Sequence, residues 1–254
     1  LVIALRLEGY NSYNVIGNNY AQQLEMIDDL VAHGVDGIIS NRLPESIGET
    51  GIPIPLVEIG NQYNRFDVSV DHQTGMAIAV KHLLEHGHQR IGALDSCNQF
   101  PKMTGYRQAM REHGIEPDPA WSLALLWNEE FAVQLEKIIK VHKVTALACS
   151  NDYIALRLIS WLTHRGIRVP DDIAVTGYDG LGLADAGACR LTTIVQPQRE
   201  QARCCVELLK KKIAGQPFEV PIILQPSLHI GDSCGCKPPA PQLIFWEEPL
   251  LMLN

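Results

Sequence analysis

Polar and aromatic side chains that suit recognition of a small polar molecule follow several short apolar runs of the sequence. Carboxylate, amide and ammonium groups hydrogen-bond hydroxyl groups, and an aromatic ring covers the apolar face of a sugar ring. The residues with this placement are Phe100, Lys102, Trp127, Asn151, Asp179 and Gln196. Because ligands of open α/β sheets bind outside the carboxyl ends of strands, the pattern predicts one shared binding site for a sugar or a sugar derivative.

Each of these residues also has a purely structural interpretation. Asp179 suits the capping of the turn that follows it, and Asn151 suits the N-cap of the next helix. Trp127 is equally suited to the core and Lys102 to the surface. Singly, these explanations weigh at least as much as binding. However, polar or aromatic residues follow several successive predicted strands, and this recurrence favours a shared binding site.

Two pairs of residues have the spacing of metal ligands. His82 and His86 are four residues apart, as in helical metal sites, and Cys234 and Cys236 form a CxC pair. No HExxH motif accompanies the histidines, and the two thiols have no ligand partners close by in sequence. A solvated helix end is favoured for the histidines, and a functional role for the thiols is disfavoured. We therefore expect no metal and no other cofactor.

The sequence contains no recognisable catalytic arrangement. The stretch Gly177–Gly182 reads GYDGLG and fails the dinucleotide-binding pattern, and no Walker sequence or GxSxG motif occurs. Asp171 and Asp172 are adjacent in a turn, where a cap and a solvated charge are favoured over a catalytic carboxylate pair. No nucleophile has an evident base partner. We therefore expect a protein that is not an enzyme.

Composition restricts the class of partner and the compartment. The 254 residues carry 21 basic and 29 acidic side chains, a net charge of -8, which argues against direct contact with nucleic acid phosphates. No window is apolar and long enough to span a bilayer, so no membrane partner is expected. Seven cysteines in no regular framework fit a reducing cytosol, so we expect a cytoplasmic protein.

Short apolar runs alternate with longer helical patterns along the whole chain. This alternation predicts an α/β protein built from parallel sheets, and about a dozen candidate strands indicate two sheets rather than one. We expect a strand over Tyr13–Gly17, a helix from about Thr104 to Gly114, a strand over Leu123–Trp127, and a strand over Ile173–Gly177 that ends before Asp179. Two lobes would share the chain through several crossings, with the ligand in the cleft between them.

Several motifs in this order resemble the lactose/galactose repressor (LacI/GalR) family of transcriptional regulators, in the effector-binding portion. The motifs are Val35–Ser40, Val70–Gly75, His82–Ile91, Gly105–Arg107, Ser150–Asp152, Val169–Asp179, Leu191–Ile194 and Gly231–Cys236. The resemblance implies a type I periplasmic-binding-protein-like fold, with two Rossmann-like lobes connected by three crossovers.

The resemblance also implies a division of the chain and a set of partners. Residues 1–70 with 197–226 would form the N-terminal lobe, incomplete at its start. Residues 71–196 with 227–254 would form the C-terminal lobe with an extra tail after Cys236. In the family a helix-turn-helix domain precedes these lobes, and we expect it to be absent here. The implied partners are a small-molecule effector, operator DNA bound through that absent domain, and a second copy in a homodimer.

Within the resemblance, Asn151, Asp179 and Gln196 match effector-contacting positions, and Trp127 resembles the aromatic residue that closes over the sugar. The chain departs from the family at Lys102, where an arginine is usual three residues before the glycine of the G-[YFW] motif. Lysine keeps the charge but loses the planar fork of arginine.

The sequence therefore predicts the effector-binding and dimerisation part of a sugar-responsive transcriptional regulator. The alternative is a periplasmic sugar-binding protein of a transport system, which has the same fold. A small α/β enzyme is a third possibility and is disfavoured, because neither a nucleophile–base set nor a phosphate loop was found.

Overall fold

The chain folds into two compact units that alternate along the sequence. The computed structural model describes residues 5, 9–16, 19–41, 52–60, 66–95, 100–124, 129–181 and 189–236. The first unit comprises Leu1–Asp71 and Pro197–Gln225, and the second comprises His72–Gln196 and Pro226–Asn254. The chain passes three times from one unit to the other.

Helices and strands alternate as the hydrophobic pattern predicts. In chain order the elements are α1 (Tyr20–Ala32), β1 (Ile38–Asn41), β2 (Leu56–Gly60), β3 (Val68–Val70), α2 (His72–Glu85), β4 (Ile91–Asp95), α3 (Phe100–Glu112), a 3₁₀ turn (Pro119–Trp121), β5 (Ser122–Ala124), α4 (Glu129–Lys140), β6 (Ala146–Cys149), α5 (Asp152–His164), β7 (Ala174–Asp179), β8 (Thr192–Val195), α6 (Gln198–Ile213), β9 (Ile222–Leu224) and β10 (Ser227–His229).

The first unit contains a four-stranded parallel sheet in the order β1-β2-β3-β9. Its core joins Val57 and Val68 of the sheet to Cys205 and Leu208 of α6, all of them buried. Cys205 therefore has the structural role that its apolar surroundings favour. Lys212, near the end of α6, bonds the Asp67 carboxylate at 2.8 Å and so fixes this helix against the sheet.

The second unit contains a six-stranded sheet in the order β10-β8-β7-β6-β4-β5, in which only the pairing of β10 with β8 is antiparallel. Helices cover both faces. Ala146 and Ala148 of β6 pack into the core made with α2 and α3, whereas Leu147 and Cys149 pack into the core made with α4 and α5. A strand buried on both faces reads as a continuous apolar run, which is why β6 was evident from the sequence.

The predicted α/β class with parallel sheets is confirmed, and some of the predicted element boundaries are wrong. Residues 13–16 lie outside any strand. Helix α3 begins at Phe100 rather than near Thr104, and Asp179 is the last residue of β7 rather than lying beyond it. Strand β5 covers Ser122–Ala124, and the rest of the predicted strand to Trp127 lies outside the described residues. Among the described helices, none is long and apolar enough to cross a membrane.

Candidate functional site

The carboxyl ends of β6, β7 and β8 lie side by side in the second unit, because these strands are parallel neighbours. Asp179 ends β7, and Gln196 directly follows β8. The Gln196 side-chain amide donates a hydrogen bond from Nε2 to Oδ1 of Asp179 at 2.7 Å. Two of the predicted site residues are therefore in direct contact at the predicted edge of the sheet.

Asp179 adopts a backbone conformation that disfavours most side chains. Its φ is 114°, in the region where glycine is normally found, and Gly180 follows with a φ of 69°. Strained non-glycine residues concentrate at functional sites, where the surrounding structure holds them in place. Burial raises the pKa of the Asp179 carboxyl, an effect opposed by the charge of Lys102 and by the hydrogen bond from Gln196.

Lys102 is buried, not on the surface. Only 3% of this residue is exposed, and its Nζ donates to the carbonyl oxygen of Ser150 at 2.7 Å. The same nitrogen lies 3.8 Å from the ring centroid of Tyr178. Desolvation lowers the pKa of Lys102 to about 8, although the nearby carboxylates of Asp179, Asp95 and Asp152 favour its charged form.

Asp152 also belongs to this group; the sequence placed it beside Asn151 after a strand but assigned it no binding role. It is completely buried in the first turn of α5. Its Oδ1 accepts a 2.5 Å hydrogen bond from the Thr193 hydroxyl, and its Oδ2 accepts one from the backbone N–H of Leu181 at 2.8 Å. One carboxylate thus connects α5, β8 and the segment after Asp179. The signal in the sequence was an acidic residue in the first turn of a helix that directly follows a buried strand.

The buried position of Asp152 predicts a pH dependence of stability. Burial raises its pKa to about 6. The folded state therefore retains a proton that the unfolded state loses at lower pH, so stability falls as pH rises from the unfolded pKa to about 6. Between about pH 4 and about pH 7, the unfolding free energy of the wild type should fall by on the order of 2 kcal/mol relative to Asp152→Asn. Denaturant titrations at both pH values measure this difference, and a difference that is constant with pH would contradict the assignment.

Asn151 occupies the N-cap of α5. Its Oδ1 accepts a 2.8 Å hydrogen bond from the backbone N–H of Ile154, so the structural interpretation of this residue is correct. An N-cap still leaves the amide nitrogen able to donate to a ligand. Asn151 also adjoins Ser150, whose carbonyl oxygen binds Lys102.

Two substitutions of Asn151 separate capping from ligand binding. Asn151→Ala should cost about 1 kcal/mol of stability, whereas Asn151→Ser should stay within a few tenths of wild type because serine also caps helices well. If the amide contacts the effector, both variants should lose affinity alike. Chemical denaturation and calorimetric titration of the two proteins provide the measurements. Equal stability of the two variants would contradict the capping role of Asn151. Unchanged effector affinity in both variants would contradict a contact between Asn151 and the effector.

The two predicted aromatic residues are not placed by the structure. Phe100 begins α3, but its side chain lies outside the described part of the chain, as does all of Trp127. Within the described residues, the candidate site comprises Asp179, Gln196, Lys102 and Asn151, and the buried Asp152 directly follows Asn151 in the chain.

A second cluster lies at the opposite, amino-terminal edge of the same sheet. His82 of α2 and His86, just past the end of that helix, meet Cys234 and Cys236, and one possible ligand atom from each lies within 4.8 Å of the others. About 150 residues separate the two pairs in the chain, and we expected no metal because the histidines lack an HExxH motif and the CxC pair lacks ligand partners close by in sequence.

The architecture and the sequence are similar to those of known protein families. Residues 80–234 match the family described as periplasmic binding protein-like domain. The chain is 32% identical to the HTH-type transcriptional repressor PurR of Vibrio atlanticus (strain LGP32) over 217 residues, 80% of this chain and 65% of the relative. It is 32% identical to PurR of Vibrio parahaemolyticus serotype O3:K6 over 231 residues, 84% of this chain and 69% of that protein. The chain belongs to the LacI/GalR family.

The solved structures agree on the fold of this LacI/GalR chain. A complex of the transcriptional regulator CelR with cellobiose superposes with a TM-score of 0.79 at 24% identity, covering 91% of this chain and 76% of that one. An identity this low establishes the fold alone. The chain spans 65% of the length of the Vibrio atlanticus repressor and therefore corresponds to part of such a protein.

Proposed function

We propose that this chain is the effector-binding part of a LacI/GalR transcriptional regulator and that its effector is a small polyhydroxy compound. The observation that carries the proposal is the Asp179–Gln196 pair, held at the carboxyl edge of a parallel sheet by a strained strand end. A carboxylate already ordered by a neighbouring amide accepts hydrogen bonds from hydroxyl groups with little reorganisation. This is the hydrogen-bonding chemistry that a sugar requires.

The charges at this edge favour a neutral effector over an anionic one. Asp95, Asp152 and Asp179 contribute three carboxyl groups, and Lys102 contributes one amine. The amine already donates to Ser150 and has a lowered pKa, so a phosphate would meet excess negative charge. An unphosphorylated sugar avoids that repulsion.

A regulatory role requires the effector to bind two conformations with different affinities. The repressors found among the relatives support a regulator over a transport-associated binding protein. In the proposed mechanism, effector binding changes the preferred arrangement of a homodimer and thereby the operator affinity of attached DNA-binding domains. Such a protein acts in the cytoplasm.

A thermal-shift screen of neutral mono- and disaccharides tests the chemistry of the effector. At least one sugar should raise the melting temperature, and its phosphorylated form should bind at least about 10-fold more weakly in calorimetric titration. Tighter binding of the phosphorylated form would contradict the proposed charge preference. If no neutral sugar raises the melting temperature, the proposed class of effector is contradicted.

A chimera tests the regulatory role. The helix-turn-helix part of the Vibrio parahaemolyticus PurR, joined in frame to this chain, should bind that repressor's operator with an affinity that changes about 5-fold or more when the selected sugar is added. The same chimera with Asp179→Ala is the control and should lose the response while retaining operator binding. Operator affinity that is independent of a sugar bound by the chain would contradict regulation.

A further inference from the structure

We propose that His82, His86, Cys234 and Cys236 form a binding site for one divalent metal ion of the zinc class. The four residues come from two distant parts of the chain, the last turn of α2 with the residue directly after it, and the segment that follows β10. The proposed effector site uses none of them.

The local geometry explains how each pair presents its ligands. Residues four apart lie on the same face of a helix, and the rings of His82 and His86 stand with their centroids 4.5 Å apart. On the other side, Gly235 has a φ of 89°, which only glycine adopts readily. The glycine between Cys234 and Cys236 allows a tight turn that directs both sulfur atoms at the two imidazoles.

The interatomic distances are close to those of a tetrahedral zinc site. With ordinary zinc–sulfur and zinc–nitrogen bonds, neighbouring ligand atoms lie about 3.3 to 3.8 Å apart. Nε2 of His82 is 3.2 Å from Sγ of Cys234 and 3.5 Å from Sγ of Cys236. Nε2 of His86 is 2.6 Å from Sγ of Cys236, so this pair must separate by about 1 Å when a metal enters. His86 is exposed directly after the end of α2, where its side chain has room to move.

The surroundings supply an outer shell and an access route. The hydroxyl of Thr192 lies 3.0 Å from Sγ of Cys234 and is placed to hydrogen-bond a thiolate. Cys234 is 2% exposed and His82 is 8% exposed, so half of the ligand set is already desolvated. A surface pocket lined by His86, Pro170 and Cys236 reaches the cluster from solvent.

The ligand types select the metal and its role. Two thiolates with two imidazoles suit Zn²⁺ and exclude the oxygen-preferring Mg²⁺ and Ca²⁺. Four protein ligands complete a tetrahedron and leave no open position, which is typical of a structural site. On binding, each cysteine S–H bond loses its proton to solvent and each sulfur donates an electron pair to the metal. The ion would thus fasten residues 231–236 to the end of α2.

Cobalt titration of the reduced full chain tests the site. Co²⁺ in a tetrahedral site with thiolates gives intense visible d–d bands and a sulfur-to-metal charge-transfer band. We expect these bands to saturate at one equivalent, to be displaced by Zn²⁺, and to accompany a rise in melting temperature. In the double variant His86→Gln, Cys236→Ala, affinity should fall by more than about 100-fold, because even outer-shell changes cost about 10- to 100-fold.

The controls distinguish the site from adventitious binding. His113→Gln and Cys204→Ser remove a histidine and a cysteine outside the cluster and should leave the cobalt spectrum unchanged. His86 and Cys236 are the less buried ligands, and circular dichroism of the metal-free double variant verifies that it folds. Bands that do not saturate at one equivalent, or that persist unchanged in the folded double variant, would overturn the proposal. Sugar binding by the double variant should match wild type, so failure of this site leaves the proposed function separately testable.

Discussion

Replacing Asp179 with alanine is expected to weaken effector binding by roughly 10-fold or more, because the variant loses a charged hydrogen-bond acceptor in a partly buried site. Losing such bonds costs on the order of 1 to 3 kcal/mol. Gln196 also loses the partner of its side-chain amide, to which it donates at 2.7 Å. Calorimetric titration with the neutral sugar selected by thermal shift measures the loss, and unchanged affinity would remove Asp179 from the site.

Two further variants show that the effect concerns binding and not folding. Asp171→Ala removes an exposed carboxylate from the same unit and should bind the sugar as wild type does. Asp179→Gly removes the same carboxylate as the alanine variant but accepts the φ of 114° without strain, so it should be about 1 kcal/mol more stable than Asp179→Ala. Both Asp179 variants should show the same loss of affinity.

Replacing Gly105 with alanine is expected to destabilise the second unit by about 3 kcal/mol or more. Helix propensity alone favours alanine over glycine by about 1 kcal/mol. At this position, however, an added Cβ would overlap the backbone carbonyl oxygen of Gln73 and approach the backbone nitrogen of Ala77 to 3.1 Å. Backbone atoms cannot rotate away, so α2 and α3 would have to separate and the core between them would open.

Chemical denaturation of Gly105→Ala against Arg107→Ala measures this effect. Arg107 is exposed on the same helix, and its replacement should change the unfolding free energy by less than about 0.5 kcal/mol. A Gly105→Ala protein as stable as wild type would show that α2 and α3 do not pack at the described distance.

The secondary structure could be predicted from the sequence where a single pattern, such as an uninterrupted apolar run, was strong. Strand β6 is buried on both faces, and the corresponding stretch Ala146–Cys149 is accordingly an uninterrupted apolar run in the sequence. The start of α3 was predicted too late, although Pro101 in its first turn is a helix-start signal that the sequence contains. The predicted strand at Tyr13–Gly17 was wrong over residues 13–16, where an apolar run alone was insufficient.

The proximity of Asp179 and Gln196 was predictable from the sequence, whereas the other contacts of the candidate site were not. The carboxyl ends of parallel strands meet at one edge, and this rule alone selected Asn151, Asp179 and Gln196. It could not show that Lys102 is buried, since the sequence does not specify that its ammonium turns onto the Ser150 carbonyl and the Tyr178 ring. It also could not identify Asp152, whose importance lies in three-dimensional contacts with β8 and the segment after β7.

The same limitation explains why the cluster of His82, His86, Cys234 and Cys236 escaped detection. Each pair is weak as a metal motif on its own, and the pairing depends on a tertiary contact across 150 residues or more. The six-stranded sheet thus carries polar groups suited to a sugar at one edge and soft metal ligands at the other.

Hydrogen–deuterium exchange of the full chain, with and without the selected neutral sugar, tests the central claim most directly. Bound sugar should slow exchange in residues 150–154, 177–181 and 193–196, the segments that meet at the carboxyl edge of the six-stranded sheet. Asp179→Ala, measured at the same sugar concentration, should show much weaker protection. Protection confined to other segments, with these three unchanged, would contradict the placement of the effector site.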